Sequence, residues 1–390
     1  MSEQISKKIN LVVLCPDPKP STDPTPHVAS RAAAYPFHPL NPFESAVKKS
    51  FYLFNPGRLS RQDNTLKYTA YEDDGGGNDG GKPREGQTRF LPVQDVADLY
   101  VFGSLDANSA LYNFLGKNGI SVHFFDFYDH YTGSFMAKEY LLAGRVQVAQ
   151  TGHYTSKKKR LVLARKLVEG AAFNLCKNLR YYQSRGRAVG EELAQIELLV
   201  AALPHAGTIP EIMGYEGNIR QTYYRCFERL VSVEGFTFGT RSTQPPQNEL
   251  NALLSFGNML CYAACLSQIY HTQLNPTISF LHEPGTRRFS LALDLAEIFK
   301  PLLVDRTIFR LLNKKEIQPR DFVRELGGCF LKEPARKVFI RAFEERLKET
   351  FHHRRLNRTI SYQSLVKLEC YKLTKHLLDI EEYQPFKAWW

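Results

Sequence analysis

Near residue 137 the hydrophobic pattern of this chain changes period, and that change limits the possible folds more than any other feature. From about Phe51 to Phe135 the apolar residues come in short aromatic and β-branched runs: Phe51 to Phe54, Thr65 to Thr69, Leu99 to Phe102 and Ile120 to Phe125. Turn residues separate them, so each run reads as a strand. One helix, near Asn108 to Gly116, interrupts the series. After about Ala137 the spacing becomes helical and stays so to about Ile380. Glu192 to Leu203 is one amphipathic helix, Glu249 to Ile269 is long, apolar and central, and Leu365, Leu368, Leu373 and Leu377 mark another. The expectation is an α+β chain: a small β-rich domain over 46–136, then a larger all-helical domain over 137–390.

The first 45 residues stand apart. Eight of the 21 prolines fall between Pro16 and Pro42, and proline lacks a donor and disfavours helix in the residue before it. This segment reads as a disordered leader with one short strand at Ile9 to Leu14, either a tolerated tail or a tether for a partner. Asp73 to Gly86 contains six glycines and reads as a flexible hairpin tip. Its acids lack the order of a calcium loop.

Composition narrows the class. At 390 residues, 43 % hydrophobic and 23 % charged, the chain has the balance of a globular protein of two or three domains. No apolar run approaches the roughly 20 residues of a spanning helix, and Leu11 to Cys15 is too short for a secretory signal. A cytoplasmic protein is expected. The seven cysteines, at 15, 176, 226, 261, 265, 329 and 370, show neither a disulfide framework nor zinc spacing. Buried free thiols are expected.

The charge is +11, and much of the excess is concentrated: ten Lys or Arg lie between Thr151 and Gly190 against one acid, Glu169. Like charges so close repel along a helix, and a polyanion relieves them. Lys157, Lys158, Lys159, Arg160, Arg165 and Lys166 are the candidate DNA contacts here, with Arg220 further on.

Two acidic placements need explaining. Thr208 and Glu211 have capping-box spacing, so a helix starts there with the apolar stripe Ile212, Ile219, Tyr223, Phe227 and Leu230. Glu216 falls on that stripe between Gly214 and Gly217, where an ionised carboxylate needs a partner. A buried Arg is one such partner. After the Pro284-Gly285 turn, a second helix runs to Pro301, with Asp294, Glu297 and Lys300 on one side and His282 in the loop before it. Two carboxylates and an imidazole suit magnesium or manganese better than zinc. Such an ion activates phosphodiester chemistry, and Lys300 is placed to balance phosphate charge.

The same residues carry a family resemblance from about Ser50 to the C-terminus. The motifs are Gly57-Arg-Leu-Ser-Arg-Gln-Asp-Asn-Thr-Leu, Ser121-Val-His-Phe-Phe-Asp, Tyr131-Thr-Gly-Ser-Phe and Met213-Gly-Tyr-Glu-Gly. They continue with Asn251-Ala-Leu-Leu-Ser-Phe-Gly, His282 to Pro301, Val304-Asp-Arg, and Tyr383-Gln-Pro-Phe-Lys-Ala-Trp-Trp. In order, these resemble the CRISPR-associated integrase of the spacer-acquisition complex, the first Cas protein family. The resemblance implies a β domain that dimerises, a helical catalytic domain, and a second Cas protein as partner. It implies Glu216, His282 and Glu297 as ligands of Mg2+ or Mn2+, with Asp294 as a supporting acid and Lys300 as a matched base. Asn251 and Tyr262 would line the site. The implied reaction is attack of a DNA fragment's 3′-hydroxyl on a CRISPR repeat, double-stranded DNA being both substrate and target. The leader has no counterpart in the family, and the glycine-rich tip is longer than its usual hairpin. A structure-selective metal-dependent nuclease and a non-catalytic nucleic-acid scaffold are the competing readings.

Overall fold

Five short strands, β1 (Lys49–Leu53), β2 (Gly57–Gln62), β3 (Thr65–Tyr71), β4 (Glu85–Pro92) and β5 (Val96–Val101), are the first elements of the described chain. They are followed by β6 (Leu105–Asp106), α1 (Ser109–Lys117), β7 (Ser121–Phe125) and β8 (Tyr131–Phe135). The computed structural model describes residues 48–71, 85–126, 128–136, 144–231, 233–285 and 288–389. The expected leader with its strand, and the glycine-rich segment up to Arg84, lie outside the described residues.

The strands form two four-stranded sheets. One has the order β1-β5-β7-β8, parallel except for β8, and the other is β4-β3-β2-β6, antiparallel except for β6. Leu59, Leu66, Leu99, Leu115 and Val122 are buried between them and α1. Asn108 caps α1, its side chain accepting from Leu111 N at 3.0 Å. Gly57 is required by closeness: a Cβ there would lie 2.6 Å from the Thr69 carbonyl oxygen on the neighbouring strand.

The helical region begins with α2 (Gly144–Thr155), α3 (Lys157–Gln183), α4 (Gly190–Ala202), α5 (Ile209–Tyr224) and the short α6 (Phe227–Leu230). Next come α7 (Glu249–Tyr270), α8 (Ser290–Lys300) and α9 (Arg306–Asn313). The region is not all-helical, contrary to expectation. β9 (Phe322–Glu325) pairs with β10 (Gly328–Leu331), and after α10 (Glu333–Lys348) β11 (Thr350–His353) pairs with β12 (Arg358–Ser361), ahead of α11 (Tyr362–Leu377). These strands are four residues long, too short to interrupt a helical pattern visibly.

α7 is the central helix, and it corrects the membrane argument. It is long and apolar enough to cross a bilayer by length and composition, but 78 % of its most apolar window is buried in the protein. Its apolarity therefore serves the core. Gly257 lets α7 approach residue 304, since a Cβ there would lie 2.5 Å from a Val304 methyl. The six described cysteines are buried and free, as expected.

Pro301 ends α8 but does not stop the chain, because Pro301–Asp305 form a π turn leading directly into α9. Proline has no N–H and wide turns leave carbonyls without their usual donors. Two asparagines one turn apart on α3 supply them. Asn174 donates to Ile298 O at 3.1 Å and Asn178 to Pro301 O at 2.8 Å. The β-rich and helical regions pack together as one compact unit, residues 46–390. Tyr100, Phe125 and Ala263 share a cluster, and Ser267 Oγ donates to Asp98 at 2.9 Å.

Candidate active site

α5 starts where the capping residues place it. Thr208 accepts from Glu211 N at 3.3 Å, and Glu211 accepts from Gly207 N at 2.7 Å. Two turns on, Glu216 turns inward with its side chain 19 % exposed, while a Cβ at Gly214 or Gly217 would meet nothing within 4 Å. The backbone beside this carboxylate is therefore open.

Arg220, one turn further, pairs with Glu216 and also with Glu297 of α8. Glu297 is 4 % exposed, and Lys300 donates to its other oxygen at 2.6 Å. Two acids from separate helices thus meet at one guanidinium. Burial opposes the Arg220 charge, but Glu216, Tyr224 and Asp305 together more than restore it and the pKa lies above the usual arginine value. Burial pushes Lys300 down to about 8, and Arg220 adds to the effect. Asp305, buried behind them, is pushed up to about 7 by burial against the pull of Arg220.

A second cluster lies one turn back on α8. Asp294 is fully buried and accepts backbone N–H groups from Phe280, Leu281 and His282 at 2.6, 3.0 and 2.9 Å. Its Oδ1 also bonds His282 Nδ1 at 2.8 Å. Asp294 thus staples the loop and fixes the orientation of the His282 ring. Arg160 fastens the same loop, donating to Phe280 O at 2.9 Å and pairing with Glu283 at 2.7 Å.

The basic segment divides. Lys157, Lys158 and Lys159 are exposed at the N-terminus of α3, where the helix dipole disfavours cations and an anion is welcome. Arg160 belongs to the His282 loop, Arg165 donates to Ala206 O, and Lys166 reaches Gln384 at 3.3 Å and Glu382 at 3.7 Å. Arg220 sits in the carboxylate cluster. Of the seven expected DNA contacts, only the three lysines are wholly at the surface.

Sequence reasoning missed Arg241. It donates to Asn251 Oδ1 at 3.0 Å and Ser255 Oγ at 3.2 Å, and with Tyr262, Arg288 and Lys300 it lines a cavity of about 530 Å³. Tyr262 lines this cavity, whereas Asn251 is fully buried and holds the loop that presents Arg241. No local pattern marks an arginine held from ten residues away. Asp305 was visible only as part of the Val304-Asp-Arg motif.

Residues 51–345 match the model of the family described as CRISPR associated protein Cas1. The chain belongs to the Cas1 family. A CRISPR-associated endonuclease Cas1 from Fusobacterium nucleatum is 45 % identical over 344 residues, covering 88 % of this chain and 98 % of its own. A Cas1 protein from Thermotoga maritima of known structure is 35 % identical with a TM-score of 0.73, covering 86 % of this chain and 98 % of its own. A casposase bound to integration product shares the fold at 22 % identity and a TM-score of 0.71, covering 87 % of this chain and 93 % of its own.

Glu216 and Glu297 fit a hard cation in donor chemistry, because both already turn oxygens to one cationic group. His282 fits in orientation: with Nδ1 on the Asp294 carboxylate, Nε2 is the atom left for a metal. Yet among the described residues no three His, Cys, Asp or Glu side chains converge as a ligand group. The two glutamates turn to Arg220 and the histidine to Asp294, so the expected ligand set is not assembled in this arrangement.

Proposed function

We propose that this chain is a metal-dependent DNA integrase that inserts short foreign DNA fragments into a CRISPR array, with an associated endonuclease activity. One observation carries the reading: in a chain of the Cas1 family, acids from two helices, Glu216 and Glu297, meet at a single cation. The relative named an endonuclease and the casposase bound to integration product support the two halves of the reading. Cutting and joining differ only in whether water or a 3′-hydroxyl attacks the phosphodiester.

Glu216, Glu297 and His282 would hold Mg2+ or Mn2+, supplying polarisation of the phosphoryl oxygen and charge stabilisation on the leaving oxygen. The protein's own groups do the rest. Asp294 fixes the His282 ring and its loop. Arg220 and Lys300, once released from the carboxylates, are cations beside the scissile phosphate, and Arg241 is a third in the adjoining cavity. A homodimer and a second Cas protein complete the proposed assembly.

The test is to offer the purified chain a labelled fragment with a free 3′-hydroxyl and a duplex repeat, with Mg2+ or Mn2+. Joined product supports integration; cutting alone favours the nuclease, and neither product favours the scaffold. Glu216→Ala and His282→Ala should lose joining and keep DNA binding within a few-fold, since binding rests on distributed phosphate contacts. Full-rate joining by either variant overturns the site.

A further inference from the structure

α3 runs for 27 residues, about 40 Å at 1.5 Å per residue, so the basic segment has two distant ends. Just past its N-terminal lysines, Arg160 holds the loop that carries His282. At its other end, α3 and α9 enclose a cavity of about 470 Å³ apart from the carboxylate cluster. Its cations are Arg185, Arg306, Arg310 and Lys314. Arg310 is paired with Glu345 at 3.0 Å, but Arg185, Arg306 and Lys314 form no ion pair with an acid among the described residues.

Arg306 is the costly one. It is half-buried, its Nε donates to Asn178 Oδ1 at 2.9 Å, and Asn178 is already committed to Tyr223 and Pro301. Burial lowers its pKa and Arg346 on α10 lowers it further, against weaker support from Tyr362, Tyr223 and Glu349. A desolvated guanidinium without a counter-charge is destabilising until an anion arrives. At the rim, Tyr181 is 45 % exposed with the Arg185 guanidinium 4.5 Å from its ring centre. An exposed ring beside cations suits a base next to its phosphate.

We propose that this pocket binds a backbone phosphate of a nucleic-acid strand, Arg306 and Lys314 taking the phosphate and Tyr181 meeting the adjoining base. This rests on the reading that the chain works on DNA. Arg306 follows Glu297 by nine residues along the continuous path of α8, the π turn and α9, about 13 Å at helical rise. One strand is therefore long enough to touch both places.

The test is the double variant Arg185→Glu with Lys314→Glu, both at exposed positions, with parental thermal unfolding as the check on folding. Anisotropy of a labelled duplex with a single-stranded end is followed against salt. The expected result is affinity lower by roughly tenfold and a log–log salt slope shallower by about 1 to 2, because fewer counterions are released. Unchanged affinity and slope overturn the proposal. So does a pocket in which inorganic phosphate raises the melting temperature of the parent but not of the variant while the DNA slope stays the same, since that is a small-anion site. Glu297→Gln separates this from the proposed reaction: it should abolish joining and leave the slope intact.

Discussion

Asp294 and Glu297 stand one turn apart on the same helix, both almost wholly buried, and they are satisfied in opposite ways. Asp294 is held by three backbone N–H groups and an imidazole, all from one loop. Glu297 is held by two side-chain cations, Arg220 and Lys300. Backbone donors cannot leave without unfolding the loop, but side-chain cations can be exchanged for another cation. A buried acid on backbone donors builds structure; one on mobile cations is available for chemistry.

Substitutions at the two acids should therefore fail differently. Glu297→Gln should cut metal-dependent joining by on the order of 100-fold or more with the smaller loss of stability, because Arg220 keeps Glu216 as a partner. Asp294→Ala should do the reverse in emphasis, costing about 3 kcal/mol or more of stability because buried N–H groups lose their acceptor. Equal losses of stability in the two variants, measured by urea unfolding, would break the distinction.

Asp305 tests an intermediate case. With its pKa raised from 3.8 to about 7, the folded chain keeps a proton that the unfolded chain has lost across that window. Stability from this group is full below about 4 and drains away as pH rises towards 7, by on the order of 4 kcal/mol. Asp305→Asn should flatten that decline when melting temperature is followed against pH. A decline as steep as the parent's would show that Asp305 is not the titrating group.

The smallest expected effect belongs to Arg220. If it competes with a metal for the carboxylates, Arg220→Gln should bind Mn2+ a few-fold more tightly by calorimetry. Weaker binding would mean that the guanidinium assembles the site instead of guarding it.

Much of this was legible in the sequence, and the unreadable part has a physical pattern. The cap at Thr208, Glu216 on an apolar stripe and the burial of α7 follow from local spacing. The pairing of Glu216 with a buried Arg was also foreseeable as a partner type, and position i+4 supplies it. What local spacing does not carry is contact across long separations. The Asp294 donors are backbone atoms, invisible as residue types, and the Arg160 pairing with Glu283 spans 123 residues. The hairpins β9–β10 and β11–β12 were lost because four-residue strands give no usable period. Pro301 misled because its missing donor was read as a stop, when asparagines on α3 make the continuation affordable.

That continuation works as a gear between two parts of the molecule. Each residue in a helical path turns the chain by roughly 100°, so the length of the Pro301–Asp305 segment sets the phase of α9 against α8. Deleting one residue there would leave Glu297 facing Arg220 but swing Arg306 about a quarter-turn or more away from Asn178. Chains that vary in this segment by a single residue would then keep the same carboxylate cluster while pointing the second basic pocket in a new direction.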